Sequence, residues 1–178
     1  MSKIGLRMYT IPEYEEEQNY LSKMHRKGWK FVRYIIPCFY LFEKCEPANV
    51  SYQLDYNEEG LKDPASYYRM YEDCGWEHIC NVVGYSYFRK EVDENKEEEI
   101  FNDIQSKIDM TERVFRGRMF PCLIVFIGII CPQLFTQFHV DGSISNIIFI
   151  IYLFLFAFYL IMFIKFYVKR HKLRKKNY

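Results

Sequence analysis

The chain has 178 residues, half of them hydrophobic and 19% aromatic, with a formal net charge of +1, a length that suits one ordinary domain or a small domain with an appendage. The near-neutral mean conceals three blocks: residues 1–112 carry 14 Lys and Arg against 22 Asp and Glu, a net of −8; residues 119–164 hold one charge, Asp141; and Lys165–Lys176 adds seven positive charges. An acidic domain repels phosphate, which argues against direct nucleic-acid binding.

In chain order, "KIGLRMYTI" (Lys3–Ile11) sets Ile4, Leu6 and Met8 against Arg7 and Tyr9, the period of a half-buried strand. A helix follows. Thr10 and Glu13 stand at capping-box spacing, Pro12 lies in the first turn, acids come early and bases late, and Gly28 closes it. Its inner face is Tyr14, Leu21 and Met24. "WKFVRYIIPCFYLFEK" (Trp29–Lys44) resumes strand character, with Pro37 as a bulge, an edge or a break. "NVSYQLDY" (Asn49–Tyr56) alternates, with Val50, Tyr52, Leu54 and Tyr56 on one face. Asp63 and Pro64 open a second helix, striped by Tyr67, Met70, Tyr71 and Cys74, and Gly75 ends it. "YSYFRKEV" (Tyr85–Val92) is the last strand. The order β-α-β-β-α-β over residues 1–94 predicts an α+β, ferredoxin-like domain.

That domain is doubled. "MHRKGWKFVRYIIPCFYLFEK" (Met24–Lys44) and "MYEDCGWEHICNVVGYSYFRK" (Met70–Lys90) align on their Gly-Trp pairs. The alignment brings Phe42-Glu43-Lys44 close to Phe88-Arg89-Lys90, with one residue of slippage. Each Gly fits a helix C-cap at positive φ, and each Trp a plug for one end of the core. A ligand-binding role for the pairs is the alternative.

Residues 95–118 predict a further helix, with Ile100, Ile104, Ile108 and Phe115 in an apolar line and Arg113, Arg116 and Arg118 at its end. It serves equally as a spacer or as a coupling or dimerising element, so self-association is one expectation. Met119–Phe138 and Ile144–Ile164 each reach the roughly 20 apolar residues that a membrane-crossing helix needs. His139–Ser143 between them makes a short turn and the pair an antiparallel hairpin. Basic residues flank both spans (Arg113, Arg116 and Arg118 before; Lys165, Lys169 and Arg170 after, in the tail 165–178), and the turn has none. The positive-inside bias then places both ends in the cytoplasm and the turn outside, a multi-pass protein of the cell membrane. The first twenty residues show no signal-peptide pattern. Pro121 sits in the first turn of its span, where a missing N–H costs little, and Pro132 lies deep enough to kink it.

Chemistry is sparse. The six cysteines form no C-x-x-C, and His25, His78, His139 and His171 are scattered. Cys74, His78 and Cys80 as a metal site fail because Gly75 breaks the helix between them and no fourth ligand follows. There is no phosphate loop, dinucleotide fingerprint or H-E-x-x-H. The expectation is a protein that is not an enzyme, with no cofactor and no metal.

The runs "YLSKMHRKGWKF", "YQLDY", and "YRMYEDCGWEHI" followed by "YSYFRK" resemble the bacterial family named domain of unknown function 2812, over roughly residues 1–118. The following pair of spans is similar to that family's arrangement too. The resemblance implies Firmicutes members, often encoded beside PadR-type winged-helix repressors, and no defined catalytic residues. The expectation is therefore a membrane-anchored cytoplasmic interaction or sensor module that regulates a protein partner such as a PadR-type transcription regulator. The docking surface would be the acidic face or the sheet bearing Tyr52, Leu54 and Tyr56. The alternatives are a sensor of a small apolar ligand, with a pocket lined by Trp29, Trp76 and several tyrosines, and an accessory subunit of a transporter.

Overall fold

The computed structural model describes residues 1–92, 104–138 and 143–176. It comprises two compact units, Met1–Met110 and Thr111–Tyr178, each considered by itself.

The described residues of the first unit contain six strands rather than the four expected. Strand β1 (Ser2–Leu6) leads through a 3-10 turn into helix α1 (Tyr14–Arg26), then β2 (Trp29–Ile35) and β3 (Phe39–Lys44). The same order repeats in β4 (Val50–Tyr56), α2 (Pro64–Glu72), β5 (Glu77–Val82) and β6 (Tyr85–Glu91). Each half is β-α-β-β, and each makes its own antiparallel three-stranded sheet, ordered β1-β3-β2 and β4-β6-β5. The single ferredoxin-like sheet of four strands is thus replaced by two sheets. The stretch Trp29–Lys44 is a hairpin that turns at Ile36-Pro37-Cys38, and Glu77–Val82 is a strand that local patterning did not reveal.

The duplication extends to detail. Both helices hand over to the next strand through a left-handed glycine, Gly28 at φ 80° and Gly75 at φ 81°. β-bulges interrupt the ladders at Val32 and Ile79, positions that coincide when the glycines are aligned. The one-residue slippage lies in the turns, three residues after β2 and two (Val83 and Gly84) after β5. Lys30 and Glu43 pair across β2 and β3 at 3.6 Å. The equivalent positions in the second half, Glu77 and Arg89, pair with signs reversed through two bonds of 2.6 and 2.7 Å.

Four layers result. Helix α2 lies on the face of the second sheet that carries Asp55 and Phe88. Helix α1 lies on the opposite face, where Glu17 accepts from Tyr87 Oη of the second sheet at 2.6 Å and from Tyr40 Oη of the first at 2.8 Å. Phe31 bridges the sheets directly, its ring centroid 5.4 Å from that of Tyr87 and 5.9 Å from that of Tyr40. The first sheet's remaining face has no helix upon it among the described residues of this unit.

Replacing Gly75 with Ala forces a Cβ into a left-handed conformation and against the Lys90 side chain at 3.4 Å. The expected cost is about 1–2 kcal/mol, read as faster amide exchange in α2 of the full chain; an unchanged rate would deny the cap its role.

The second unit is a helical hairpin. Helix α3 (Ile104–Val114) begins in the first unit and continues through a π-helical turn (Phe115–Met119), α4 (Phe120–Val125), a second π-helical turn (Phe126–Ile130) and α5 (Cys131–Phe138). Helix α6 runs from Ser143 to Lys176. Pro121 therefore lies well inside a continuous helical stretch and not in a first turn, a correction to its expected place. The two π turns have one sequence cause: Phe-x-Gly-x-x-x-Pro occurs twice, at Phe115–Pro121 and Phe126–Pro132, eleven residues apart. A proline lacks an N–H and crowds the carbonyl four residues before it, here that of Gly117 or Gly128. The chain widens just upstream, so that Phe120 N–H reaches Phe115 O and Cys131 N–H reaches Phe126 O. Both phenylalanines of the repeat face α6: Phe115 stacks on Phe166 at 5.8 Å, and Phe126 packs on Phe156 at 5.1 Å and Phe163 at 5.7 Å.

Among the described residues two helices are long and apolar enough to cross a membrane, Lys107–Thr136 and Ser145–Lys175. Only 11% and 6% of their most apolar stretches are buried, which does not suit core helices of a soluble protein. Residues 95–103 of the predicted linker, and 139–142 of the predicted turn, lie outside the described residues.

Candidate functional site

The residues expected to form a docking surface are mostly interior. Tyr52, Leu54 and Tyr56 are 1–2% exposed because α1 and the first sheet cover that face, and Trp76 is 4% exposed because it packs with Tyr67, Tyr71 and Phe88 under α2. This corrects the expected surface: the alternation of "YQLDY" is real, but its apolar side is core. Trp29 alone is half-buried, with Lys3 Nζ 5.3 Å from the ring centroid. The tyrosines that a ligand pocket would use are already packed on one another and on Phe31.

Two buried carboxylates organise this interior. Asp55 accepts from Tyr67 Oη and Tyr71 Oη, each at 2.8 Å. Burial, reinforced by the Asp55 charge, holds both phenols far above their ordinary pKa, so they remain donors. In the ladder, Asp55 stands where the first half has Gly5, which the Tyr20 hydroxyl approaches so closely that a Cβ would lie 2.6 Å from it. Glu17 is the second carboxylate. Burial raises its pKa, and the hydrogen bonds from Tyr87 and Tyr40 only partly offset that rise.

His25 completes the polar interior. Tyr52 Oη accepts from the Phe31 N–H at 3.2 Å and lies 2.8 Å from His25 Nδ1. With the phenol proton directed at Nδ1, His25 is a neutral acceptor there; with the other tautomer, Nδ1–H donates to the phenol oxygen. Desolvation lowers its pKa, with Arg89 adding to it.

The signs of these shifts fix a pH test. A carboxyl whose folded pKa is raised contributes stability that is fully present below its unfolded pKa and is lost as pH rises through the folded value. Glu17→Gln keeps an oxygen for both phenols without a buried charge, so we expect a gain of about 1–2 kcal/mol at pH 7 that vanishes below pH ~4. His25 acts oppositely, its contribution being present above its unfolded pKa and lost on acidification. Amide exchange of β3 and β6 against pH measures both; no gain for Glu17→Gln at neutral pH would contradict the assignment.

The segments that looked most like a motif prove to be a structural lock. Lys90 Nζ donates to Cys74 O at 3.0 Å, at the end of α2, and lies 5.9 Å from the Trp76 ring centroid. Trp76 and Phe88 pack with Tyr67 and Tyr71 under α2, and Tyr87 reaches to Glu17. Cys-Gly-Trp and Tyr-Phe-x-Lys thus fasten helix, turn and strand together. His78 is bound to Asn81 Oδ1 at 2.9 Å and stacked on Tyr68. Burial pushes the Cys80 thiol up to about 11, away from reactivity. Among the described residues no three His, Cys, Asp or Glu side chains converge as metal ligands.

Residues 13–125 match the family described as Protein of unknown function (DUF2812). The chain belongs to the DUF2812 family. The matched segment includes the lock, both buried carboxylates and the first proline-linked π turn. No curated protein and no solved structure matches this DUF2812 chain.

Of the basic residues at the helical hairpin, Arg170 is not directed outward alone. Its Nη2 and that of Arg174 both donate to Glu112 Oε1, at 3.1 and 2.9 Å, and its guanidinium lies over the Phe115 ring. This clamp ties the two long helices of the DUF2812 hairpin together. Arg116 is exposed, Arg113 and Arg118 are half-buried in the same turn region, and Lys165 and Lys169 lie on α6.

Two surfaces of the first unit stand out, and they lie on opposite outer layers. Around α2, Glu58, Glu59, Asp63, Glu72 and Asp73 are exposed, with Lys62 and Arg69 the only bases between residues 58 and 73. On the first sheet's uncovered face, the ladder sets Leu6, Phe39 and Ile35 in one row, and Ile4, Leu41 and Arg33 in the next. Ile4 and Leu6 are 63% and 66% exposed, and Ile36 beside them is 69% exposed. Sequence reasoning missed this apolar face, although β1 and β3 alternate visibly, because the alternation does not say which side finds a neighbour.

Proposed function

We propose that this protein is a membrane-anchored interaction module whose DUF2812 domain works in the cytoplasm. The observation that carries this reading is the pair of long helices whose apolar side chains are largely uncovered, joined to a water-compatible domain with two chemically distinct outer surfaces. An apolar helix that no protein covers is stable in hydrocarbon and not in water. The basic flanks of both helices support a cytoplasmic placement of both ends of the hairpin.

The partner this reading favours is a protein with a basic surface. The acidic α2 side complements the DNA-binding face of a transcription regulator, and holding such a face there keeps it from DNA. A PadR-type regulator fits that chemistry. No catalytic role is assigned to any residue. Crosslinking in native membranes followed by mass spectrometry tests the proposal. Recovery of a regulator crosslinked near residues 58–73 supports it; recovery of none, with transcription unchanged on deletion of the protein, sinks it.

A further inference from the structure

We infer that the tip of the β2–β3 hairpin and the uncovered face beside it form a docking surface for an anionic lipid bilayer. The inference rests on the membrane-anchored reading above and adds a second, reversible contact to it.

The tip is unlike an ordinary turn. Connections between strands are normally polar and rich in Gly, Asn and Asp, yet this one reads Ile35-Ile36-Pro37-Cys38-Phe39. Ile36 projects from it, and the ladder brings Leu6 beside Phe39. An exposed apolar surface of this kind on a water-soluble fold marks a contact site.

The charge around it selects the occupant. Arg33 is exposed on the face itself; Arg7, whose N–H donates to Cys38 O at 3.1 Å, is exposed at the rim of the tip, with its guanidinium 5.3 Å from the Tyr20 ring centroid. Among the described residues of that face the one acid is Glu43, in the third row from the tip and already paired with Lys30. Apolar side chains with an adjoining pair of arginines are what an interfacial anchor needs, since the first enter the headgroup boundary and the second meet lipid phosphates. A second copy packed face to face through this same surface would bring it another cationic surface and no free anion. The rest of the domain is acidic and is repelled by an anionic leaflet, so this is the side it can present. The long apolar helices of the same chain keep a bilayer within reach, so even a weak contact is populated. Docking here would also leave the acidic α2 layer turned toward the cytoplasm, since the two surfaces lie on opposite layers.

The second half supplies an internal control. Its hairpin tip is at Val83, which is 56% exposed, but there Tyr85 is buried with its hydroxyl donating to Ile11 O.

The test uses the full chain in lipid nanodiscs, carrying Ile36→Trp or Val83→Trp, with acyl-chain-brominated lipid as the quencher. Discs of phosphatidylcholine alone are compared with discs that also contain phosphatidylglycerol. We expect the added emission of Ile36→Trp to be quenched several-fold more strongly in the anionic discs than in the neutral ones, and that of Val83→Trp to stay unquenched in both. Raising the salt concentration, or adding Arg7→Glu and Arg33→Glu, should abolish the Ile36→Trp quenching, and Lys at both positions should retain it. The salt arm needs no further substitution and so does not depend on the charge variants folding. Equal quenching in both discs overturns the proposal. So does shielding of position 36 that follows protein concentration and not lipid charge, the signature of a second copy. A chain that enters discs with an unquenched tip overturns this inference alone; a chain that never enters them overturns the membrane-anchored reading as well.

Discussion

Asp55→Ala is expected to cost the DUF2812 domain about 3–5 kcal/mol, the largest loss of any single polar substitution in it. The side chain is 1% exposed and accepts from two phenols, Tyr67 and Tyr71, that are themselves buried under α2. Removing the acceptor leaves both hydroxyls without that partner in a place water does not reach, and each such orphan costs about 1–3 kcal/mol. Amide exchange in α2, β4 and β6 of the full chain should accelerate about a thousandfold, since each 1.4 kcal/mol is a factor of ten. Asp55→Asn keeps one carbonyl oxygen and should cost about 1–2 kcal/mol. Adding Tyr67→Phe and Tyr71→Phe to Asp55→Ala should recover a large part of the loss, because the two phenol hydroxyls that lost their acceptor are then gone. A loss below ~1 kcal/mol for Asp55→Ala would show that the cluster is not what holds α2 to its sheet.

Phe31→Ala should cost a similar amount, about 3–5 kcal/mol, by opening a cavity where the two sheets meet. Phe31 is fully buried, and its ring touches Tyr40 and Phe42 of its own sheet and Tyr52 and Tyr87 of the other. Its loss therefore weakens both halves at once. Exchange should rise together in β3 and β6, whereas Phe88→Ala, which lies under α2, should act first on the second half. If Phe31→Ala loosened β3 and left β6 protected, the halves would be independent, and the bridging role of α1 and Phe31 would be wrong.

Much of this fold is legible without coordinates, and the reasons are local. Gly28 and Gly75 end their helices because a left-handed residue is needed there, and glycine adopts it without strain. The Thr10–Glu13 spacing is realised as two bonds, Glu13 Oε2 accepting from the Thr10 N–H at 2.8 Å and from its hydroxyl at 2.7 Å. The doubled unit, its single-residue slippage and the two apolar helices follow from residue type and spacing alone. Membership of the DUF2812 family was visible in the same short runs that form the lock around Trp76.

What escaped was strand count, and again for a physical reason. The β2–β3 turn contains no Gly, Asn or Asp, so Trp29–Lys44 looks like one long strand until its two ends pair with each other. Strand β5 is short and mixed in character, and its pairing with β6 defines it more than its own residues do. The prolines were visible, but the π turns before them depend on backbone carbonyls that residue patterns do not display.

The sequence by itself determined the two halves, their helix ends, the buried side of α1 and the apolar block. Of the stripe expected on α2, Tyr67 and Tyr71 are buried, whereas Met70 and Cys74 are exposed because the helix rests on its sheet through its tyrosines. The tertiary structure alone decided which sheet face is interior. Tyr52, Leu54 and Tyr56 occupy the same ladder positions as Ser2, Ile4 and Leu6, and both sets alternate. The first set is sealed because α1 lies against it; the second is open because, among the described residues of this unit, α1 and α2 are the helices packed on the sheets, and they leave that face uncovered. Periodicity fixes which residues share a face, whereas burial depends on which element arrives to cover it.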